Sequence, residues 1–352
     1  MSMTKIFRNK KILITGHTGF KGSWLTFWLK ILGAKICGIS KDVPTNPSLF
    51  KTLKLKNKIF DHRVDIRNLV VLKKIVKNFK PDFVFHLAAQ SLVKKSYLDP
   101  TYTFTTNAIG TCNLLESLRY LKNKCNVIII TSDKSYKNLE ILRGYKESDE
   151  LGGYDPYSAS KGCAEFVIQS YIKSFFKKKK NIRIGITRAG NVIGGGDWSD
   201  DRVVPDCFKS WSLNKKVVIR NPNSTRPWQH VLEVISGYLI FAKKLYKKDD
   251  LNGEAFNFGP KNSQNKTVKD VILEIKKHLP TFKWKIKKNK LFSESKLLKL
   301  NSSKAMRKLK WSNKLSFNET LKMTTKWYEV FYKKKKIISF TLKQIKEFEK
   351  KL

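Results

Sequence analysis

The stretch Lys11-Ile12-Leu13-Ile14-Thr15-Gly16-His17-Thr18-Gly19-Phe20-Lys21-Gly22 (KILITGHTGFKG) decides the fold. A short apolar run between a basic flank and a glycine reads as a buried strand. Behind the glycines, Ser23–Leu32 carries Trp24, Leu25, Phe27, Trp28, Leu29, Ile31 and Leu32, which predicts a strongly apolar helix. The glycines follow the spacing GxxGxxG. Glycine lets the backbone turn tightly and approach a pyrophosphate, and the helix N-terminus offers unpaired N–H groups and a favourable dipole. Strand, glycine turn and helix in succession predict a dinucleotide site formed by Gly16, Thr18, Gly19, Phe20, Lys21 and Gly22. A P-loop is excluded, because no Gly-Lys-Ser/Thr follows at the right place.

Working outward, Lys35–Ile39, Phe60–Val64, Phe83–Leu87, Asn126–Thr131 and Ile182–Thr187 read as further short strands. Helical patterns lie between them at Asn68–Asn78, Thr103–Tyr120 and Pro156–Phe175. Apolar strands alternating with helices predict an α/β fold, a doubly wound parallel Rossmann sheet covered on both faces. After Arg188 the texture changes. Residues 189–230 are rich in Gly, Asn, Asp, Pro and Trp, the composition of loops around a site. Residues 265–279 and 318–332 predict helices of a smaller C-terminal substrate-binding lobe, and Lys333–Leu352 a strand and a short helix. The expected division is 1–187 for the dinucleotide domain, with segments of 225–260 returning to it, and 188–352 mainly for the substrate lobe. At the end of the second strand Ser40 and Lys41 precede Asp42. Asp42 suits a ribose hydroxyl and Lys41 tolerates a 2′-phosphate, so this turn leaves NAD and NADP both open.

The chain has 352 residues and a net charge of +44, from 72 Lys plus Arg against 28 Asp plus Glu. Such a balance invites a nucleic-acid reading. Yet only 11 of the 72 are Arg, the better residue for bidentate phosphate contacts, and the Lys are spread over the chain. The charge therefore predicts a solvated surface and no nucleic-acid partner. No run of about 18 apolar residues predicts a membrane span. The five Cys (37, 112, 125, 163, 207) are scattered without a CxxC, which predicts reduced thiols in the cytoplasm and no metal cluster.

Tyr157-Ser158-Ala159-Ser160-Lys161 opens a predicted helix, and positions four apart share a face. A nearby ammonium favours the phenolate and turns a tyrosine that titrates near ~10 into a base for a sugar hydroxyl. Upstream, the strand Asn126–Thr131 runs into Ser132, Asp133 and Lys134. Ligands in open parallel sheets lie beyond the carboxyl ends of strands, so a hydroxyl, a carboxylate and an amine there are placed to orient a substrate and move protons. Capping and turn formation are the plainer uses of Ser and Asp.

These elements together resemble the extended short-chain dehydrogenase/reductase superfamily, and within it the CDP-glucose 4,6-dehydratases, from about Lys10 to the C-terminus. The resemblance rests on GHTGFKGSWL (16–25), PTNPSLF (44–50), HLAAQSLV (86–93), TSDKSYKN (131–138), GGYDPYSASKGCAE (152–165), RAGNVIGGGDW (188–198), DDRVVPD (200–206) and RNPNSTRPWQHVLE (220–233). Lys134 matters within it, because related dTDP-glucose and GDP-mannose dehydratases typically carry a glutamate there. Asn301 and Ser135 depart from the pattern, where an acidic residue and a cysteine are frequent.

The resemblance implies a lyase that turns CDP-glucose into its 4-keto-6-deoxy derivative through tightly bound NAD, in deoxysugar and surface polysaccharide synthesis. It implies Tyr157 as base with Lys161, Ser132 as the group that positions the 4-hydroxyl, Asp133 as acid and Lys134 as the base at C5. On the cofactor side it implies Asp65 and Ile66 at the adenine, Leu87, Ala88 and Ala89 along the pyrophosphate, and Gln90 and Thr106 nearby. For the substrate it implies Gln90, Ser132, Asn191, Arg220 and His230, with Asp197 and Trp198 at the cytidine or its ribose and Arg202 and Arg226 at the diphosphate. His86 is expected as a packed histidine. A homodimer through a four-helix bundle, or a higher oligomer, is implied as well. The rival readings are another nucleotide-sugar 4,6-dehydratase or 4-epimerase, a non-catalytic scaffold, and a basic Rossmann protein recruited to RNA.

Overall fold

The computed structural model describes residues 3–179, 181–260, 265–287 and 298–352. Its strands are β1 (Lys11–Thr15), β2 (Lys35–Ser40), β3 (Phe60–Arg63), β4 (Phe83–His86), β5 (Cys125–Ile130), β6 (Ile182–Ala189), β7 (Val192–Ile193), β8 (Val217–Ile219), β9 (Thr225–Pro227), β10 (Gln229–His230), β11 (Ala255–Phe258), β12 (Asn265–Thr267) and β13 (Trp284–Ile286). Seven of them form one parallel sheet in the order β11-β6-β5-β4-β1-β2-β3. The remaining strands pair two by two: β10 with β7, β12 with β9 and β13 with β8. The order reverses between β4 and β1, and the ends of those two strands carry the glycine turn and the Leu87–Gln90 segment.

Alternation along the strands builds two cores. Ile12, Ile14, Ile128 and Ile130 face Trp24, Trp28 and the helix Val231–Lys247. Leu13, Val127 and Ile129 face Leu114, Leu118, Ile168 and Phe176 on the opposite side. Each fully buried aliphatic side chain removes enough surface from water to contribute roughly 1.5–3 kcal/mol, so the sheet needs both helical layers. The helix Leu69–Phe79 starts at Asn68, whose side chain accepts from Val71 N, and ends with Lys80 in the left-handed region at φ 51°. The helices Pro100–Phe104 and Gly110–Leu118 are joined by a π-turn at Thr105–Ile109.

Two stretches differ from the sequence-based expectation. Residues 337–349 form one helix, not a strand and a short helix. Thr341, Gln344, Ile345 and Phe348 recur at helical spacing and are buried, with the Phe348 ring 6.0 Å from Trp28 and Trp28 Nε1 donating to Glu349 at 2.7 Å. The loop-rich region 189–230 holds β7 to β10 and a helix, Val203–Ser212. Its strands are too short for their periodicity to show in the sequence.

Candidate active site

The glycine turn is built by close approach. Gly16 adopts φ +74°, and a Cβ there would lie 2.6 Å from Ala88 N and 2.7 Å from the Leu87 carbonyl carbon. A Cβ on Gly22 would meet the Gly16 carbonyl oxygen at 2.1 Å. A side chain at Gly16 forces the turn away from the Leu87–Ala88 backbone, and one at Gly22 forces the helix away from the turn itself. The helix Phe20–Ile31 begins at Gly19 with no side-chain cap, which leaves its first N–H groups free to meet an anion. It starts three residues before the Ser23 expected from apolar periodicity, because Phe20, Lys21 and Gly22 complete its first turn. His17 is fully buried in this turn, Nε2 at 2.8 Å from Asp61 and Nδ1 at 2.9 Å from Ser40 Oγ. Burial lowers its pKa, against the raising effect of Asp61.

Thr18 Oγ1 donates to the Asp42 carbonyl at 2.6 Å, which ties the glycine turn to the end of β2 and leaves the Asp42 side chain exposed. Asp65 is held by Arg67 at 2.8 Å, and Ile66 is buried against Gly110. Leu87, Ala88 and Ala89 are half-buried along the end of β4. Gln90 is fully engaged by the protein: its N–H donates to Asn107 Oδ1 at 2.8 Å, its amide to Leu92 O and Thr103 Oγ1 at 3.0 Å each. Thr106 Oγ1, in contrast, is buried without a partner. A free helix N-terminus, an intimate glycine turn and an orphaned hydroxyl fit a dinucleotide laid across β1 and β4. His86 is the packed histidine expected, between Thr15 Oγ1 at 2.6 Å and Thr111 Oγ1 at 3.0 Å. Burial pushes its pKa down to about 3, so it is neutral.

The second half of the site is set by the helix Pro156–Tyr171. Asp155 caps it, accepting from Tyr157 N and Ser158 N at 3.0 Å each, and Pro156 pre-sets the first turn. Tyr157 and Lys161 then point from one face into the interior and are both buried. Tyr157 bonds to Ser132, whose Oγ donates to Asp133 Oδ1 at 2.9 Å. Asp133 is buried and Lys134 half-buried on the turn that follows β5. Asn107, overlooked in the sequence, fastens this half to the other, donating to Gln90 O at 3.0 Å and Ser160 Oγ at 2.9 Å.

The electrostatics differ from the expected Tyr–Lys pair. Burial holds Tyr157 at about 12, while the Ser132 bond and the Arg202 guanidinium act to lower it. Lys161 is itself pushed down to about 7, by burial and by the Lys21 ammonium. Lys21 falls to about 8 through burial and Arg202, opposed by Asp133 and Asp197. The Arg202 guanidinium favours the Tyr157 phenolate and the Asp133 carboxylate opposes it, while Lys161 on the same helical face is lowered toward a neutral amine. Crowded cations of this kind are what an incoming pyrophosphate or diphosphate would answer.

Among the substrate residues, Asp197 and Arg202 join this cluster, 2.9 Å apart. Asn191 takes a left-handed φ of 49° at the turn between β6 and β7. Arg226 NH1 donates to Thr225 O at 2.8 Å, beside the β9–β12 pair. Arg220 is exposed, and its charge is felt by Asp206. One expectation is overturned. Trp198 does not face a ligand: it is 2% exposed, its Nε1 donates to Tyr332 at 3.1 Å, and it packs on Trp327, Tyr328 and Phe331. His230 is fully buried at the start of the helix Val231–Lys247, Nδ1 accepting from Leu232 N at 3.3 Å, and its Nε2, like Thr106 Oγ1, is buried without a partner. Arg188, from the same motif-rich stretch, is also structural. It makes a two-pronged pair with Glu165 at 2.8 and 3.0 Å and donates to Tyr136 at 2.7 Å. Among the described residues no cluster of His, Cys, Asp and Glu could hold a metal ion, and no helix is long and apolar enough to cross a membrane.

A family model described as GDP-mannose 4,6 dehydratase matches residues 13–324. A CDP-glucose 4,6-dehydratase from Salmonella typhimurium is 41% identical over 347 residues, 97% of each chain. A CDP-paratose 2-epimerase from Salmonella typhi is 28% identical, over 71% of this chain and 78% of that one. The crystal structure of a UDP-glucuronic acid 4-epimerase from Bacillus cereus, in complex with UDP-glucuronic acid and NAD, superposes with a TM-score of 0.77 at 25% identity, covering 92% of this chain and 100% of that one. The seven-stranded parallel sheet agrees with these matches, and the chain belongs to the GDP-mannose 4,6 dehydratase family.

Proposed function

We propose that the protein is a hydro-lyase that converts CDP-D-glucose into CDP-4-keto-6-deoxy-D-glucose and water, with NAD held along the glycine turn. The observation that carries this reading is the convergence of Ser132, Asp133 and Tyr157 on one buried cluster that also contains Arg202, with Lys134 at its edge. A 4-epimerase needs only the hydroxyl pair. A dehydratase also needs an acid and a base beside it, and Asp133 and Lys134 supply them.

When bound, the dinucleotide supplies the hydride acceptor at C4 and the hydride returned at C6. The chain's own residues move the protons. Ser132 orients the sugar 4-hydroxyl, and Tyr157 takes its proton with the Arg202 guanidinium favouring the phenolate. The 4-ketone acidifies the C5 hydrogen. Lys134 removes it, and Asp133 protonates the departing 6-hydroxyl. Gly16, Thr18, Gly19, Phe20, Lys21 and Gly22 hold the pyrophosphate end, with Thr106 reaching the cofactor through its free hydroxyl. Asp42, Asp65 and Ile66 serve the adenosine half. Asn191, Arg202, Arg220 and Arg226 serve the nucleotide diphosphate.

Residues 1–187 with part of 225–260 form the cofactor domain on this reading, and 188–352 mainly the nucleotide-sugar lobe. Ile109, Phe166 and Phe175 stand 51%, 57% and 37% exposed on the paired helices. We read that apolar face as the contact of a cytoplasmic homodimer through a four-helix bundle, which light scattering tests.

The deciding experiment incubates the protein with CDP-, dTDP-, GDP- and UDP-glucose, with and without NAD, and identifies the products. A 4-keto-6-deoxy sugar from the cytidine compound, without net consumption of NAD, is expected. An epimerised sugar, or turnover confined to another nucleotide, overturns the reading.

A further inference from the structure

The carboxylate of Asp133 lies flat against Gly190. A Cβ at Gly190 would fall 1.7 Å from Asp133 Oδ2, 2.2 Å from its Cγ and 2.6 Å from Oδ1. The main chain at 190 is thus the wall that fixes where the acid sits, and only glycine leaves room for it. That wall is the turn between β6 and β7, which bends through the left-handed Asn191 at φ 49°. A turn of this kind needs to be held.

Gln229 holds it. The residue lies on β10, is 1% exposed, and grips the turn at successive carbonyls: its Nε2 donates to Gly190 O at 3.1 Å and its backbone N–H to Asn191 O at 3.3 Å. The second amide proton goes to Phe258 O at 2.8 Å, at the end of β11. Two carbonyl acceptors fix which end of the amide is nitrogen, and Oε1 is left buried without a partner. A buried amide with one atom unsatisfied costs stability, and an apolar side chain would avoid that cost. The Gln229 amide instead joins the substrate-lobe strand, the central sheet and the floor under Asp133.

We infer that Gln229 is a positioning residue for the dehydration step: it clamps the Gly190–Asn191 turn and thereby fixes the Asp133 carboxylate at the leaving 6-hydroxyl. The inference rests on the proposed dehydratase reading. It makes a distinction that a general structural role does not. Ser132 meets the clamp only through its bond to Asp133 Oδ1, and no hydrogen bond joins Tyr157 to Gly190 or Gln229 among the described residues, so oxidation at C4 should lose far less than water loss when the clamp is removed. Misplacing a reacting group by about 1 Å costs on the order of 10²-fold in rate.

The test uses full-length Gln229→Met, which keeps the length and volume but removes both donors, and Gly190→Ala, which pushes directly on the carboxylate. Each is mixed with NAD and CDP-glucose. Oxidation is read as the near-ultraviolet absorbance of reduced nicotinamide, and dehydration as release of the C5 deuterium of labelled substrate and formation of the 4-keto-6-deoxy product. Oxidation within about threefold of wild type, with dehydration lowered roughly 10- to 100-fold and reduced cofactor accumulating, is the expected result. Equal loss of both steps, loss of neither, or insolubility of both variants overturns the inference. Wild-type protein that makes no 4-keto product overturns the dehydratase reading itself; wild-type turnover with an unsplit variant overturns only the role of Gln229.

Discussion

The helix Pro156–Tyr171 and the stretch 188–230 are the two parts of the chain richest in recognisable motifs, and they use them differently. In the first, Tyr157 and Lys161 are turned inward by an Asp155 cap and sit within the cluster that holds Ser132 and Asp133. In the second, two of the most distinctive residues are packing: Arg188 is locked to Glu165, and Trp198 fills an aromatic cluster. Gly190, against the Asp133 carboxylate, and the Asp197–Arg202 pair are the parts of that stretch that reach the cluster. A motif is therefore a mixture of chemistry and scaffolding, and burial with satisfied partners separates the two.

The sharpest way to break the comparison is to remove the chemistry from the first region. Tyr157→Phe keeps the packing and deletes the proton acceptor, so oxidation and dehydration should both fall by about 10³–10⁴, at the upper end of general acid–base contributions. Lys134→Ala should spare oxidation and stop water loss. Rapid-quench product analysis with the cofactor absorbance separates the two, and full activity in Tyr157→Phe would remove the whole assignment.

The second region should respond in stability instead. Arg188→Met leaves Glu165 charged and buried without its partner, a change that costs roughly 3–5 kcal/mol. The double variant Arg188→Met/Glu165→Leu should recover much of that loss, because no uncompensated charge remains. Urea unfolding measures both. Arg188→Met with wild-type stability and no turnover would return Arg188 to the site.

The first region was the more legible for a physical reason. Strands of four to eight residues and helices of nine or more carry their period on the surface of the sequence, and the glycine turn and YxxxK spacing depend on local geometry alone. The positions of Asp197, Arg202 and Gln229 depend on contacts such as Tyr328 accepting from Asp197 N at 3.1 Å, across 131 residues of chain. Spacing cannot show that. Nor could it show that burial and the Lys21 ammonium lower Lys161, or that the Arg202 guanidinium adds its charge to the surroundings of Tyr157. The terminal helix escaped because its buried residues Thr341 and Gln344 are polar.

Proton linkage gives a finer contrast between packing groups. His86 and His230 are both held at about 3 by burial, below the ordinary value near ~6.5. Between these values the unfolded chain takes up a proton that the folded chain refuses, so each histidine makes stability fall as pH falls below about 6.5. Glu233 has the opposite sign. Burial raises it to about 7, partly offset by the N–H groups of Lys314 and Leu315 that its Oε1 accepts at 2.7 and 2.6 Å. The folded state then binds a proton that the unfolded state releases down to about 4.5, which makes stability rise as pH falls through that window. The wild-type curve between pH 6 and 5 is the difference of these effects. His230→Gln should lower the slope of stability against pH, and Glu233→Gln should raise it, each by about 1 kcal/mol per pH unit. Urea melts across that range decide it, and slopes that move together would show that one of the two groups is not buried in its neutral form.

The smallest effect is expected where the sequence is loudest. Lys334, Lys335 and Lys336 are exposed and belong to the surface that gives the chain its charge of +44. Replacing all three with Gln should change stability by less than about 0.5 kcal/mol, because exposed lysines keep their water in both states. Turnover at saturation should not change. A nucleotide sugar is an anion, so its capture at low salt should slow slightly, and the difference should vanish as salt rises, since steering by distant charges is screened beyond about 8 Å at physiological ionic strength. Arg202→Met removes a single charge of the same sign, yet it should weaken both substrate capture and proton transfer to Tyr157, and added salt should not erase the loss. If the three lysines mattered as much as that one arginine, the positive surface would have a binding role of its own. The contrast follows from place: Arg202 lies against a buried carboxylate at 2.9 Å and beside the tyrosine whose ionisation it favours, whereas the lysine run faces solvent.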